Sequence, residues 1–211
     1  MTILSLIHRW VITALMTCIA ITTGAAPPLD PDEDHRYHPP PVEPKVKIVV
    51  ERRGEMTVEL YKTKAPKTVA HFISLANRKF YDRVLFHNVI KGFYAYSGDP
   101  KSKSIDGSKI ANLSNRDVIA RYALGTGGSG QTVPIEPHED HDRGTLALQH
   151  NIRDIDSGDS VFFINLTNNR SNNGAYTVFG RIIQGIDVMD RIQQGDRITS
   201  VRVIPFPGAK R

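Results

Sequence analysis

The spacing of apolar residues predicts short β-strands over most of the chain after residue 44. Apolar side chains occupy every second position of residues 46–50 and again, after Gly54, of residues 56–60. A period of two places one face of a strand against a core, and a glycine between two such runs is typical of a hairpin turn. We therefore predict a hairpin of two half-buried strands.

Later apolar runs predict six further strands. They cover residues 84–90, 94–97, 145–149, 161–166, 177–183 and 198–204. Many short strands with glycine turns favour an antiparallel sheet that closes on itself, because closure removes its exposed edges. The fold class expected from this pattern is mainly β.

Two segments have helical spacing. Pro66 suits the first turn of a helix, where its missing N–H leaves no hydrogen bond unmade, and apolar residues then recur at helical intervals up to about residue 77. A second helix is predicted over residues 186–193, after Gly185. Residues 101–133 have little apolar periodicity, so we expect a long surface loop there.

The first 25 residues have the pattern of a secretory signal. His8 and Arg9 precede the apolar residues 10–21, and small residues follow. This run is shorter than the ~20 residues of a stable membrane anchor. We predict a removable signal over residues 1–25, and export to the periplasm or cell envelope without a membrane span in the mature form. An uncleaved anchor is the alternative.

The remaining segments are predicted to be a proline-rich linker over residues 26–44, one compact domain over residues 45–207 and a short tail over residues 208–211. The linker holds seven of the 13 prolines and has no apolar periodicity, which favours extended, solvated chain. The only cysteine, Cys18, lies in the predicted signal, so the mature protein would form no disulfide. Acylation of Cys18 is disfavoured, because the preceding Thr17 is bulkier than lipidation sites usually show.

Charge and motifs exclude several classes of function. The formal net charge of +5 is modest, and no basic run with interleaved aromatic residues is present, so nucleic-acid binding is not expected. The glycine-rich residues 125–130 lack the lysine of a phosphate-binding loop. Residues 138–141 (His-Glu-Asp-His) have metal-ligand side chains, but a solvated polar loop is favoured over a metal site. No cofactor or metal is expected.

Residues 86–99, FHNVIKGFYAYSGD, resemble the FHRVIxGFxxQGGD segment of the cyclophilin-type peptidyl-prolyl isomerases. Other blocks that resemble this family follow in its order. They lie at residues 58–60, 64–72, 125–128, 143–148, 160–164 and 176–181. The resemblance implies a closed, eight-stranded antiparallel β-barrel that is capped by two α-helices. Its ligands would bind on the outer face of the barrel. It also implies isomerisation of proline-containing peptide or protein segments, by a protein that we expect to be a monomer.

The resemblance places an asparagine where the family has its catalytic arginine. Rotation of an X-Pro bond requires loss of amide resonance, and a catalyst can assist by aiming a hydrogen-bond donor at the prolyl nitrogen. Asn88 is a shorter and neutral donor than arginine. We therefore expect weak activity. The alternative is that Asn88 is an exposed polar strand residue without a role.

The resemblance also implies the residues that contact the substrate. Phe93 and Phe163 match the residues that hold the proline ring, although both could instead be ordinary core residues. Tyr96 stands in place of a glutamine, and Val161 in place of a second glutamine that bonds the substrate. The other implied contacts are Tyr94, Gln149, His150 and Tyr176.

Three functions agree with these features. The first is an exported cyclophilin-type isomerase, or rotamase, that assists protein folding in the cell envelope with weak activity. The second is a non-catalytic module that binds proline peptides or acts as a chaperone through the same groove. The third is an envelope scaffold attached through the proline-rich linker.

Overall fold

A computed structural model describes residues 41–205 of the 211-residue chain. The predicted signal, residues 26–40 of the linker and the tail lie outside the described residues. Within residues 41–205, no helix is long and apolar enough to cross a membrane.

Eight strands and three α-helices form the domain. The strands are β1 (Lys45–Val50), β2 (Gly54–Leu60), β3 (Asn88–Ile90), β4 (Tyr94–Ser97), β5 (Thr145–Leu148), β6 (Phe162–Asn165), β7 (Thr177–Gln184) and β8 (Ile198–Ile204). The helices are α1 (Pro66–Asn77), α2 (Asn115–Tyr122) and α3 (Ile186–Asp190), with single 3₁₀ turns at Pro100–Ser104, Gly107–Lys109 and Arg170–Asn172.

The strands make one antiparallel sheet in the order β3-β4-β6-β5-β7-β2-β1-β8. The mainly β, eight-stranded prediction is confirmed. The prediction of a closed barrel is wrong for the strand ladder, because β3 and β8 remain its two edges. A single bridge between Leu85 and Arg197, which lie outside these strands, links the two edges. The sheet is therefore a half-barrel.

This bridge also explains why β3 is shorter than predicted. Residues 84–86 are fully buried, and the backbone of residues 84 and 86 bonds to the chain before and within β8. Phe86 N donates to Asp196 O over 2.8 Å, and Ile198 N donates to Val84 O over 2.8 Å. Only Asn88–Ile90 pairs with β4. The predicted strands at 94–97 and 198–204 match the structure to the residue.

The prediction of a long loop over residues 101–133 is wrong, because this region contains α2. The Ser114 side chain accepts a hydrogen bond from Asp117 N over 3.1 Å, which caps the first turn. Ala123 ends the helix in the left-handed conformation at φ 50°. Val118 is the only buried residue of α2, and the helix spans only eight residues, so its apolar positions are too few to predict a helix from their spacing. The prediction of two helices therefore omits α2.

The core fills the concave side of the sheet. Phe72 of α1 packs against Tyr81, Phe162 and Phe179, with ring centroids 4.8–5.8 Å apart. The N-terminus of α1 is held by Glu136, whose carboxylate accepts hydrogen bonds from the backbone N–H groups of residues 67 and 68. This contact fixes the chain between α2 and β5 to the end of a helix. The second predicted helix, α3, ends at Asp190 rather than at residue 193.

Candidate active site

The outer face of β4, β6 and β5 carries a cavity of about 290 Å³. Side chains from β3, β4, the segment after β5 and the segment before β7 line it together with α2 and residues 125–126 of the glycine loop. The lining residues are His87, Asn88, Tyr94, Tyr96, Asn115, Ile119, Leu124, Gly125, Thr126, Gln149, His150 and Tyr176. The cavity lies close to the lower end of the 300–1,000 Å³ that is usual for ligand sites.

The β3–β4 ladder places Asn88 directly opposite Tyr96. Residues opposite each other in an antiparallel pair share one face of the sheet, with Cβ atoms about 4.5–5.5 Å apart. Asn88 is mostly buried and Tyr96 is half-buried. The two side chains therefore leave the same face of the sheet, and both line the cavity.

Aromatic side chains form a layer beneath the cavity, with Phe163 at its centre. Phe163 is fully buried. The Tyr96 ring lies 4.9 Å from it, and the Tyr176 ring lies 5.4 Å away at 90°. On its other side His141 stacks on Phe163 at 5.8 Å and 13°. The tyrosines cover Phe163, so they and not the phenylalanine form the surface that a ligand can touch.

Gln149 divides the groove into two compartments. Its Nε2 donates to the carbonyl oxygen of Gly125 over 3.1 Å and so reaches from the end of β5 to the glycine loop. Beyond it lies a second cavity of about 450 Å³, lined by residues including Asn151, Ile152 and Asp159. Gln149 borders both cavities, so an extended peptide could cross between them only if this side chain moved.

His150 connects the end of β5 to the segment before β7. Its Nε2 lies 2.7 Å from the carbonyl oxygen of Ala175, and its ring stacks on Tyr176 at 4.7 Å and 30°. These contacts set the position of the Tyr176 ring. His150 therefore positions part of the cavity wall.

The glycine loop is fixed from beneath by Asp99, which is fully buried. Its Oδ2 accepts hydrogen bonds from Gly125 N over 2.6 Å and Gly127 N over 3.0 Å. A Cβ at residue 127 would lie 2.2 Å from Asp99 Oδ1, so only glycine fits there. Two backbone amides of the loop thus bind the Asp99 carboxylate, which holds the loop close to the cavity.

Two buried titratable groups in the wall of the first cavity, His87 and Tyr96, have shifted pKa values. Burial lowers the pKa of His87 to about 4, against the weaker opposing effect of Asp99. Burial also raises the pKa of Tyr96, and the neighbouring Tyr94 adds to this. The imidazole is therefore uncharged near neutral pH, and the Tyr96 hydroxyl keeps its proton. Apart from histidines, no lining residue of this cavity can carry a charge near pH 7.

The second cavity differs, because Asp159 lies in its wall. Burial opposes ionisation of this carboxyl, but hydrogen bonds from Ser129 and Gly130, followed by His71, outweigh it and lower its pKa. Asp159 is therefore ionised near neutral pH. The second compartment therefore has a carboxylate in its wall, whereas the lining of the first contains no acidic residue.

Comparison with known proteins assigns this chain to a family. The family model described as cyclophilin type peptidyl-prolyl cis-trans isomerase/CLD matches residues 45–205. The chain belongs to this family of enzymes. A peptidyl-prolyl cis-trans isomerase of Helicobacter pylori is 35% identical over 155 residues, which are 71% of this chain and 80% of the relative. Peptidyl-prolyl cis-trans isomerase B of Bacillus subtilis is 35% identical over 160 residues, which are 74% and 95%.

A solved cyclophilin structure has the same fold. The Cryptosporidium parvum cyclophilin-type isomerase, determined in the presence of the dipeptide Ala-Pro, superposes with a TM-score of 0.61 at 24% identity. The match covers 76% of this chain and 99% of that one. The predicted cyclophilin resemblance and the prediction of an enzyme of this family are confirmed.

The cyclophilin domain brings together most, but not all, of the residues named from the sequence. Of the residues predicted to contact substrate, those that line the first cavity are Asn88, Tyr94, Tyr96, Gln149, His150 and Tyr176. Phe163 lies beneath it. Phe93 is 40% exposed and packs on Tyr94 with ring centroids 4.6 Å apart, outside the lining set. The alternative that Phe93 is a core residue is wrong, and its contact with substrate stays a prediction.

Sequence reasoning missed Asn115 and Ile119 of α2, which face the cavity from the side opposite the sheet. The signal that could have revealed them is Ser114 followed three residues later by Asp117, the spacing of a helix-capping pair. With α2 recognised, positions 115 and 119 fall on one helix face.

Residues 138–141 differ from the predicted solvated loop at one position. His141 is fully buried, its Nδ1 lies 3.2 Å from Asn165 Nδ2, and burial lowers its pKa. Within residues 41–205, no group of three or more histidine, cysteine, aspartate or glutamate side chains is arranged to hold a metal ion. His141 instead supports the aromatic layer.

Proposed function

We propose that this cyclophilin domain binds proline-containing peptide segments in the 290 Å³ cavity and isomerises the X-Pro bond at a reduced rate. The observation that carries the proposal is the tyrosine-lined cavity that has Asn88 in its wall. Aromatic rings give a proline ring an apolar surface, and a hydrogen-bond donor in the wall can stabilise the prolyl nitrogen as the amide twists. The Ala-Pro dipeptide in the Cryptosporidium parvum study supports the ligand class.

The reduced rate follows from the chemistry of Asn88. An arginine presents a charged fork of N–H donors, and charge-assisted hydrogen bonds are about twice as strong as neutral ones. Removal of one pre-organised donor typically lowers a rate by about 10²–10³. The protein should therefore still catalyse isomerisation, at a lower rate than cyclophilins that have arginine at this position. We further propose that the protein works in the cell envelope, supported by the signal-like residues 1–25.

A second function, binding without catalysis, is favoured by one contact. The Gln149–Gly125 hydrogen bond crosses the groove, so an extended peptide would be held in two separate parts or not at all. A peptide seated in only one compartment is less firmly aligned for rotation. Misplacement of about 1 Å can lower a rate about 10²-fold.

Exchange NMR on a short Ala-Pro peptide separates the two functions. We expect the purified full chain to accelerate cis/trans exchange about 10²–10³-fold less than a cyclophilin with arginine at the position of Asn88. Shift changes in the peptide without exchange broadening would establish binding alone. Catalysis equal to that of the arginine-bearing cyclophilin would contradict the reduced-rate proposal.

The matched variant is Asn88→Arg. We expect a partial gain, because Tyr96, Gln149 and Val161 still differ from the family. The quadruple change Asn88→Arg, Tyr96→Gln, Gln149→Ala, Val161→Gln should gain more. Full recovery from Asn88→Arg alone would show that the rest of the groove is intact.

A further inference from the structure

Isomerisation by this site needs a hydrogen-bond donor other than a guanidinium. As the X-Pro bond rotates, the prolyl nitrogen becomes pyramidal and gains a lone pair that a donor can stabilise. The donor has to lie in the cavity wall and has to be free of other partners. Both conditions can be checked against the structure.

Several polar groups of the wall are already engaged. Gln149 Nε2 donates to Gly125 O, and Thr126 Oγ1 donates to Ala123 O over 2.7 Å. His150 has its two ring nitrogens within 2.9 Å of carbonyl oxygens. None of these groups can donate to a substrate without first losing a protein contact.

The side chains of Asn88, Asn115, Tyr94, Tyr96 and Tyr176 are different. Of these five, Asn88 and Tyr96 face each other across the β3–β4 pair. In the described part of the chain, the buried side-chain atoms without a hydrogen-bond partner belong to Tyr81, His87 and His141. Neither the Asn88 carboxamide nor Tyr96 Oη is among them, and neither makes a side-chain hydrogen bond within residues 41–205. Both groups therefore reach the open space of the cavity that they line.

The Tyr96 ring is also held in place. It packs on Phe163 at 4.9 Å and meets the Tyr94 ring edge-on at 4.8 Å and 82°. A hydroxyl on a fixed ring is pre-organised, whereas a flexible donor loses side-chain entropy when it binds. Because the pKa of Tyr96 is raised, the hydroxyl remains a donor above neutral pH.

From this geometry we infer that Tyr96 is a catalytic residue, and that its hydroxyl donates a hydrogen bond to the prolyl nitrogen of the substrate beside Asn88. The inference rests on the proposed isomerase function. No covalent bond forms or breaks, and the proton stays on the phenol oxygen. The Asn88 carboxamide, which lines the same cavity, binds the same part of the peptide.

The test is Tyr96→Phe in the full chain, which removes the hydroxyl and keeps the ring. The control is Tyr61→Phe, because Tyr61 packs against the same aromatic layer but lines neither cavity. We expect kcat for exchange of an Ala-Pro peptide to fall about 10²-fold in Tyr96→Phe, with KM nearly unchanged. Tyr61→Phe should keep the parent rate. Thermal unfolding of both variants checks that they remain folded.

The outcomes separate the inference from the proposed function. If the parent catalyses exchange and Tyr96→Phe retains its kcat, the inference is overturned while the isomerase function stands. A rise in KM with unchanged kcat would make Tyr96 a binding residue and would also overturn it. If the parent neither accelerates exchange nor shifts the peptide signals, the proposed function fails and the inference fails with it.

Discussion

Phe162 and Phe163 are neighbours on β6, and both side chains are fully buried, but they face opposite sides of the sheet. Phe162 lies in the core, where its ring meets Phe72 and Tyr81 at 5.8 Å. Phe163 lies in the outer layer under Tyr96, with a cavity beyond it. The same residue type therefore fills the core on one face and supports a binding site on the other.

The difference lies in what surrounds each ring. The core side is many side chains thick and almost entirely apolar. The outer layer is one side chain thick, and its covering rings carry hydroxyl groups that reach the cavity. A change in the outer layer can be absorbed by collapse into the cavity, whereas a change in the core leaves a void. One face of the sheet thus packs the core, and the other face supports the candidate site.

The largest effect should come from truncating the two phenylalanines. Loss of a buried phenylalanine costs about 3–5 kcal/mol of stability, and less where the surroundings can collapse. We expect Phe162→Ala to lie at the upper end of this range and Phe163→Ala at the lower end, with weaker peptide binding only in Phe163→Ala. Denaturant unfolding and peptide titration of the folded variants measure both. A larger stability loss in Phe163→Ala would contradict the comparison.

An acid-dependent loss of stability should follow from the outer face, because it buries the neutral His87. The pKa of about 4 in the folded state lies below the ordinary 6.5. The unfolded chain therefore binds more protons between these values, and stability falls as the pH is lowered from about 6.5 to about 4. The shift corresponds to about 3 kcal/mol. The free energy of unfolding, measured across this pH range, should depend less steeply on pH in His87→Gln than in the parent.

The control for this slope is His138→Gln, since His138 is exposed. That variant should keep the slope of the parent. An equal slope in His87→Gln and the parent would show that other groups cause the acid sensitivity, with His141 the next to examine because burial lowers its pKa as well.

The smallest effect on stability should come from Gln149→Ala. It removes one neutral hydrogen bond, which contributes about 1 kcal/mol, but it also joins the two compartments of the groove. We expect a longer proline peptide to bind more tightly to Gln149→Ala than to the parent, while a dipeptide gains little. Calorimetric titration of both peptides tests this. Equal affinities of the long peptide would show that Gln149 already moves aside.

Sequence reasoning worked where one face of an element is solvated. The hairpin of β1 and β2 follows from a period of two, and β4 and β8 were predicted to the residue. It failed for α2, since this helix has only eight residues and buries only Val118, which leaves too few apolar positions to reveal it. The family and the position of Asn88 followed from residues 86–99, because a local motif retains its order in the sequence whatever surrounds it.

The sequence by itself determined the strands, the family and the residue types at the site. Only the tertiary structure decided which of these residues a substrate can reach. β6 is buried on both faces, so nothing in its pattern distinguishes Phe162 from Phe163. The burial of Phe163, the Gln149–Gly125 contact and the free hydroxyl of Tyr96 all depend on residues far apart in the chain. Such contacts form only when the sheet is assembled, and no local pattern specifies them.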